Sequence, residues 1–202
     1  TVAAAAPVLL ALEHSAGDPA DSLAALTLTA DDSLRVVAVA RDALGNVTPD
    51  VAASWSLVGD STAARLQPAG SASAVWLVPL APGTVRVQAV WNGLVAISPP
   101  LQLGPGRAAR LVIESAADGT GAPLGDLSLQ AGARLALHAA GRDRRGNFVG
   151  LESVRWLAGG TAGRLESDQG PSTVFTALRP GAALVSAVHP VLAAAATGTL
   201  RV

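Results

Sequence analysis

The feature that most constrains this sequence is an internal duplication. An Asp-x-x-Gly-Asn pattern, with a Trp nine residues after its Asn, occurs twice at an offset of 101 residues. The first copy is Asp42, Gly45, Asn46 and Trp55, and the second is Asp143, Gly146, Asn147 and Trp156. Self-similarity at a fixed offset indicates one structural unit written twice. The 202 residues of the chain are divided between the two units, so each unit has the size of an ordinary domain.

Glycine and proline mark the boundary between the copies. Gly104-Pro105-Gly106 lies between them; it does not easily extend a strand, yet it is too short to act as a free tether. We expect domain 1 over residues 1–103, a linker over 104–107 and domain 2 over 108–202, with limited hinge freedom.

The offset between the copies shrinks after the Trp. Leu80-Ala-Pro-Gly83 aligns with Leu178-Arg-Pro-Gly181 at an offset of 98. Three residues are therefore missing from the second copy between Trp156 and Phe175. Surface loops absorb such deletions better than paired strands do, so we expect a shorter loop after the Trp strand of the second copy.

Alternation of side chains predicts strands. Leu34, Val36, Ala38 and Ala40 fall on one face of a period-two strand, and the intervening residues from 35 to 41 fall on the other. Gly and Pro recur at short intervals and leave little room for long helices. The sequence therefore predicts an all-β fold in which each unit closes about seven strands over one core as a sandwich.

The order of these features resembles bacterial immunoglobulin-like repeats. The shared features are the alternating strand, the Asp-x-x-Gly-Asn turn, the Trp on the next strand and a Leu-x-Pro-Gly-Thr-Val-x-Val-x-Ala ending. The resemblance covers nearly the whole chain, twice. Such repeats occur in surface adhesins, intimin and invasin stalks, secreted hydrolases and appendage subunits. The resemblance implies two tandem immunoglobulin-like β-sandwich domains and an extracellular or cell-surface location.

The repeated turn has a structural interpretation. Gly45 and Gly146 can adopt positive φ, Asn46 and Asn147 tolerate the left-handed region, and Asp42 and Asp143 can accept hydrogen bonds from turn amides. An alternative makes the two Asp residues calcium ligands, since calcium takes six to eight oxygens. Neighbouring acids would complete such a site, namely Asp31, Asp32 and Asp50. The second copy has Gly132 in place of Asp31, which disfavours a shared metal site, and we expect no metal.

The four Trp residues divide into two pairs. Trp55 and Trp156 are predicted to fill the two cores, one in each sandwich. Trp76 lies on the outward register of its strand, and its aligned residue is Val174, whereas Trp91 aligns with His189. An exposed pair of this kind could contact a sugar or a neighbouring subunit. The favoured alternative is that Trp76 and Trp91 cover the domain junction or a sheet edge.

Enzyme chemistry has little support in the sequence. Cysteine is absent, which excludes thiol nucleophiles and disulfides, and no Gly-x-Ser-x-Gly or phosphate-binding loop is present. His14, His138 and His189 lack metal-type spacing and are predicted to be solvated surface residues. Glu13 and Glu114 recur at equivalent positions but in separate units, and we expect them to be surface charges on the first strands. No enzymatic activity and no cofactor are predicted.

Charge excludes some partners. The 14 basic residues are all Arg, and 15 acids balance them to a net charge of −1, so no basic stripe for nucleic acid is present. No apolar run approaches the roughly 20 residues of a membrane span. A secreted chain of this type would already have lost its leader.

Three functional interpretations follow. The first is a non-enzymatic structural module of a bacterial surface assembly, either a stalk or a self-assembling filament subunit with an adhesive role. In the filament form, Thr1 to Pro7 would add a strand to the sheet edge of a neighbouring copy. The second is a carbohydrate-binding or accessory module of a secreted enzyme, with Trp76 and Trp91 on a surface glycan. The third and least favoured is a hydrolase domain.

Overall fold

The computed structural model describes residues 5–15, 22–48 and 51–202. Their contacts divide the chain into two compact units, Thr1–Pro105 and Gly106–Val202. The boundary between Pro105 and Gly106 falls within residues 104–107, where the sequence predicts the linker. Among the described residues no α-helix is present, and the prediction of an all-β fold is confirmed.

The described residues of unit 1 form ten strand segments and a 3-10 turn at Ser61–Ala63. The strands are β1 (Leu9–Glu13), β2 (Leu26–Thr29), β3 (Leu34–Arg41), β4 (Val47–Thr48), β5 (Ser54–Gly59), β6 (Ala64–Pro68), β7 (Ala74–Pro79), β8 (Gly83–Trp91), β9 (Leu94–Ile97) and β10 (Leu101–Gly104). One sheet has the order β1-β3-β7-β6, with β4 also on β3. The other has the order β2-β10-β8-β5, with β9 also on β8.

Unit 2 repeats this plan. Its strands are β11 (Arg110–Glu114), β12 (Leu127–Ser128), β13 (Arg134–Arg142), β14 (Phe148–Leu151), β15 (Val154–Gly160), β16 (Gly163–Leu165), β17 (Gln169–Gly170), β18 (Ser172–Ala177), β19 (Ala182–Val188), β20 (Ala195–Ala196) and β21 (Leu200–Arg201). One sheet has the order β11-β13-β18-β16, with β14 on β13. The other has the order β12-β21-β19-β15-β17, with β20 on β19.

This strand order is that of an immunoglobulin-like sandwich. The first sheet of each unit corresponds to strands A, B, E and D, and the second to strands G, F and C. The parallel pair β2–β10, like β12–β21, places the continuation of the first strand beside the last one. The prediction of two tandem immunoglobulin-like β-sandwiches is therefore confirmed.

Each sandwich encloses its own core. Leu34, Val36, Ala38 and Ala40 face the core of unit 1, as their alternation predicts. In unit 2, Trp156 is 1% exposed and lies at the centre of the core, whereas Trp55 of unit 1 is half-buried and packs on the margin of its core. Both indole Nε1 atoms donate to a backbone carbonyl, of Ala72 for Trp55 and of Gly170 for Trp156.

The three missing residues of the second copy are removed at two places. Ala63 and Ala162 accept equivalent hydrogen bonds, from Leu80 and Leu178, and are 99 residues apart. Two residues are therefore absent from the loop after the Trp strand, which is the predicted location. The third residue is absent between β16 and β18, the counterparts of β6 and β7, because Leu77 and Phe175 are 98 residues apart.

The outer face of the first sheet in unit 1 is more buried than its alternation suggests. Val37 and Val39 point away from the core but are 3% and 2% exposed, and they form a small separate cluster with Ala74. Both faces of β3 are thus covered along most of its length. A second apolar layer of this size stabilises the sheet beyond what the main core provides.

Candidate functional site

The duplicated turn is held together by one carboxylate in each unit. In unit 1, the carboxylate of Asp42 accepts hydrogen bonds from the backbone N–H groups of Leu44 and Asn46, both at 2.9 Å, and from the Asn46 side chain at 3.0 Å. Gly45 has φ of 85°, which is the left-handed conformation that favours glycine. The Asp-x-x-Gly-Asn pattern therefore encodes a closed turn whose polar groups satisfy one another.

The same carboxylate also binds the segment that leads into the first strand. The backbone N–H of Ala5 donates to Asp42 Oδ2 at 3.0 Å, and that of Val8 donates to the carbonyl of Arg41 at 2.8 Å. We call residues 5–8 the incoming segment of unit 1. These two hydrogen bonds hold the incoming segment against the turn just before β1 begins.

Unit 2 has the identical arrangement around Asp143. Arg145 and Asn147 donate their backbone N–H groups and Asn147 also donates its side-chain amide, while the backbone N–H of Gly106 donates to Oδ2 at 2.9 Å. Ala109 N–H then donates to the carbonyl of Arg142. Residues 106–109 are thus the incoming segment of unit 2, and they are held by the same atoms as residues 5–8.

These hydrogen bonds change the acidity of both carboxyl groups. The Asn46 side chain, followed by the Ala5 backbone, lowers the pKa of Asp42 from 3.8 to about 2. Burial by itself would raise the pKa of Asp143, but the hydrogen bonds from Asn147 and Gly106 outweigh it and hold that pKa below its ordinary value. Both groups therefore act as ionised acceptors in the folded chain.

The geometry disfavours the calcium alternative. The carboxylate oxygens of Asp42 and Asp143 already accept four hydrogen bonds each, so a metal would have to displace turn amides. Asp32 accepts from the backbone and hydroxyl of Thr29, and Asp50 lies outside the described residues. In the described part of the chain, no group of three or more His, Asp or Glu side chains could hold a metal ion.

A buried ion pair accompanies each turn, and here the sequence-based expectation is wrong. Glu13 and Glu114, predicted to be surface charges, are each 1% exposed. Arg41 Nη2 lies 2.7 Å from Glu13 Oε1, and Arg142 binds Glu114 through Nε and Nη2 at 2.7 and 2.8 Å. The pair joins β1 to β3 in unit 1 and β11 to β13 in unit 2, and the Arg satisfies the buried carboxylate.

The Arg of each pair is also bonded to the turn. Arg41 Nη1 donates to the Gly45 carbonyl at 3.1 Å, and Arg142 Nη1 donates to the Gly146 carbonyl at 3.0 Å. In unit 2 the carbonyl of Gly119 accepts a further bond from Arg142, whose guanidinium lies 5.8 Å from the centre of the Phe148 ring. The Glu, the Arg and the Asp turn thus form one continuous polar cluster in each unit.

A signal in the sequence could have revealed these pairs. Glu13 and Arg41 both recur at the offset of 101, as Glu114 and Arg142. Opposite charges that are duplicated together on two neighbouring strands predict a contact, whereas a solvated charge has no reason to recur with a partner.

The remaining aromatic candidates differ from each other. Trp76 is 37% exposed on the outer face of β7, as its register predicts. Trp91 is half-buried and packs against the core of unit 1. Trp76 and Trp91 therefore do not form a pair of exposed aromatic side chains.

The histidines are not the solvated surface residues that the sequence predicts. All three are half-buried. His138 Nδ1 is hydrogen-bonded to the Ser172 hydroxyl at 2.8 Å. His189 Nδ1 accepts from the backbone of Val191 and Leu192. The rings of His138 and His189 therefore have structural partners in the fold.

Three shallow depressions on the described surface offer few reactive groups. Together they carry a single titratable side chain, that of Arg155. The first depression is lined by Val51, Ala52, Ser71, Ala72 and Ser73, the second by Gly159, Gly160, Ala182, Ala183, Leu184 and Thr199, and the third by Ser153, Val154, Arg155, Gln169 and Gly170.

None of the described residues form a helix with the length and hydropathy of a membrane span.

The segment suggested for strand addition is partly engaged within its own chain. Thr1 to Ala4 lie outside the described residues. Ala5 is bound to Asp42, so strand donation to another copy by Ala5 to Pro7 would compete with this intrachain bond.

Comparison with known proteins gives similarity of fold. No protein-family model matches the chain, and no curated protein matches it. Similar solved structures include the FdeC adhesin of Escherichia coli, with 19% identity, a TM-score of 0.39, and coverage of 87% of this chain and 62% of that one. Invasin, described as a bacterial integrin-binding protein, has 13% identity, a TM-score of 0.38, and coverage of 88% and 36%. The D0-D1 domains of intimin have 16% identity, a TM-score of 0.33, and coverage of 88% and 93%.

These structures are of an adhesin, a part of intimin and a bacterial integrin-binding protein. The chain spans less than two thirds of the FdeC fragment and about a third of the invasin fragment. At these identities the likeness is one of fold.

Proposed function

We propose that this chain is a non-enzymatic structural module of a bacterial extracellular or cell-surface assembly, and that its two units serve as consecutive segments of a stalk. The observation that carries the proposal is the use of the duplicated polar residues. Each repeated Asp, Glu and Arg is bonded within its own unit, as described for Asp42, Glu13 and Arg41.

Catalytic groups have the opposite property. A general acid or base must reach a substrate, and its surroundings hold its pKa near the working pH. The carboxylates of Asp42 and Asp143 have lowered pKa values and are occupied by turn amides. Their recurrence in both units is therefore accounted for by folding alone.

The chain path at the boundary supports a spacer role. The carbonyl of Gly104 accepts a hydrogen bond from Ala30 in unit 1, and the N–H of Gly106 donates to Asp143 in unit 2. Pro105 is the one residue between these bonded positions, and its ring restricts φ. A chain with so little free linker suits a module that separates other parts of an assembly. The hydrogen bond of Ala5 to Asp42 favours this role over a filament joined by the incoming segment.

The location is tested on the organism that makes the protein. Antibodies raised against the full chain are expected to label intact cells or their secreted material, and external protease is expected to remove the label. Label that appears only after the cells are lysed would contradict the proposed location.

Self-assembly is tested with the full chain and a variant lacking residues 1–7. Electron microscopy and mass in solution are expected to show the same non-assembled particles in both samples. Regular fibres formed by the full chain and lost on truncation would overturn the stalk proposal in favour of the filament form.

A further inference from the structure

The outer face of the first sheet in unit 1 carries a cross-strand row that the fold does not use. Arg35 on β3 lies directly opposite Trp76 on β7, and Trp76 lies directly opposite Gln67 on β6. Arg65 pairs with Val78 one row further along the same two strands. Directly opposed residues share a face of the sheet, so these side chains form one surface. We call Arg35, Trp76, Gln67 and Arg65 the Trp76 row.

The polar groups of this row have no partners within the described chain. The side chains of Arg35, Arg65, Gln67 and Trp76 make no hydrogen bond or ion pair with another described residue. By contrast, Arg41 and Arg142 are bonded to the carboxylates of Glu13 and Glu114. The exposed indole therefore lies beside side-chain donors that bind no other residue of the described chain.

Unit 2 provides an internal comparison at the same place in the fold. Ala136, Val174 and Glu166 occupy the equivalent row, and Glu166 forms an ion pair with Arg134. The aromatic side chain is absent there, Glu166 is paired with Arg134, and Arg164 occupies the place of Arg65. The Trp76 row is thus not required by the sandwich, which forms without it.

We propose that the Trp76 row is a binding site for an acidic polysaccharide. The exposed face of Trp76 matches the apolar face of a sugar ring, which stacks on aromatic side chains. Arg35 and Arg65 are the charges of the row, which contains no acid, so it is locally positive in a chain of net charge −1. Guanidinium groups bind carboxylates by paired hydrogen bonds, and Gln67 can both donate to and accept from sugar hydroxyls.

A protein partner fits the row less well. Protein interfaces of ordinary stability bury a continuous apolar centre, whereas the indole here is bordered on both sides by polar side chains, Arg35 and Gln67. A single ring bordered by donors suits a narrow, hydroxyl-rich ligand. This inference does not depend on the proposed stalk function, because binding is measured on the isolated chain.

The test uses affinity electrophoresis of the full chain through gels containing polygalacturonate, alginate or hyaluronan, with dextran and laminarin as neutral controls. The chain is expected to be retarded by at least one acidic polymer and by neither neutral one. Retardation is expected to weaken as salt is added, because exposed charges are screened.

The variants copy residues that unit 2 already tolerates at the same positions. Trp76→Val is expected to weaken binding roughly tenfold or more through loss of the stacked ring. The triple variant Arg35→Ala, Trp76→Val, Gln67→Glu is expected to abolish it. Leu184→Ala and Arg155→Gln, which remove an exposed apolar side chain and an Arg elsewhere, are expected to leave it unchanged. Circular dichroism and thermal unfolding check that every variant is folded.

Three results would overturn the proposal. The first is equal retardation by acidic and neutral polymers. The second is retention of the wild-type mobility shift by a folded Trp76→Val variant. The third is the absence of retardation by all three acidic polymers.

Discussion

The guanidinium of Arg142 donates two hydrogen bonds to the carboxylate of Glu114, from Nε at 2.7 Å and from Nη2 at 2.8 Å. The two residues lie on neighbouring antiparallel strands and are 28 positions apart in the sequence. Arg41 and Glu13 lie at the equivalent positions in unit 1, where Arg41 Nη2 donates to Glu13 Oε1 at 2.7 Å. The pair joins β1 to β3 in unit 1 and β11 to β13 in unit 2, and it connects both strands to the Asp turn.

Removing one member of the pair is expected to destabilise unit 2 strongly. Arg142→Met leaves the carboxylate of Glu114, 1% exposed, without its ionic partner. The expected cost is about 3–5 kcal/mol, since an uncompensated buried charge is costly. Hydrogen–deuterium exchange by mass spectrometry measures it, with peptides from residues 1–105 as the internal control.

The matched control is an exposed pair in the same unit. Arg134→Met breaks the ion pair with Glu166, whose side chains are 60% and 43% exposed. Its expected cost is at most about 1 kcal/mol. Equal costs for the two variants would show that burial of the Glu114 pair is unimportant.

The carboxylates of the turns are expected to make stability depend on acid pH. The pKa of Asp42 is about 2 in the folded chain against an ordinary 3.8, and that of Asp143 is also lowered. A lowered folded pKa stabilises the folded state above the unfolded pKa, and this stabilisation is lost as pH falls toward the folded value. The thermal midpoint should therefore decrease between about pH 4 and pH 2.

The double variant Asp42→Asn, Asp143→Asn tests the origin of that decrease. Its midpoint should be lower than that of the natural chain at neutral pH, and it should change less on acidification. A decrease of the same size in both proteins would assign the effect to other acids, such as Asp32 and Asp118, whose pKa values are lowered by hydrogen bonds from Thr29 and Thr120.

The incoming segment of unit 2 is expected to be protected from exchange by one side chain. The N–H of Gly106 donates to Asp143 and has no strand partner. In the natural chain, NMR should show slow exchange of this amide relative to an exposed loop. Asp143→Asn should accelerate exchange at Gly106 while the amides of β19 remain protected. Unchanged exchange at Gly106 would contradict the contact.

The two repeated Trp residues are expected to contribute unequally. Trp156 is 1% exposed within its core, whereas Trp55 is half-buried at the margin of its own. Trp156→Ala should cost about 3–5 kcal/mol because it opens a large cavity. Trp55→Ala should cost clearly less, since solvent and neighbouring side chains can fill the space. Unit-resolved hydrogen exchange compares the two, and a larger cost for Trp55 would contradict the difference in burial.

Local patterns predicted a large part of the fold. Alternation in residues 34–41 placed Leu34 and Val36 in the core, and the Asp-x-x-Gly-Asn pattern predicted glycines with positive φ. Gly45 and Gly146 have φ of 85° and 92°. These features depend on neighbours within a few residues, which is why periodicity and turn chemistry were sufficient to find them.

The candidate site was less predictable, for reasons that the side chains make clear. Alternation assigns Glu13 to the outer face of its strand but does not reveal that Arg41 and the turn cover that face. It likewise places Val37 outward without showing that an outer cluster buries it. Trp91 was grouped with Trp76 because both lack a Trp in the other copy, yet it packs against the core.

The sequence by itself determined that one unit is written twice and that each unit is a sandwich of short strands. It also determined that an Asp closes the turn after the alternating strand of each unit, β3 or β13. Those properties follow from repeat offset, side-chain period and local backbone preference. Only the tertiary structure decided which charges are paired and which remain free. Strand pairing buries Glu114 against Arg142, whereas Arg35 and Arg65 lie beside Trp76 without an ionic partner among the described residues. These contacts join residues far apart in the chain, so burial and partner choice are set when the sheets assemble.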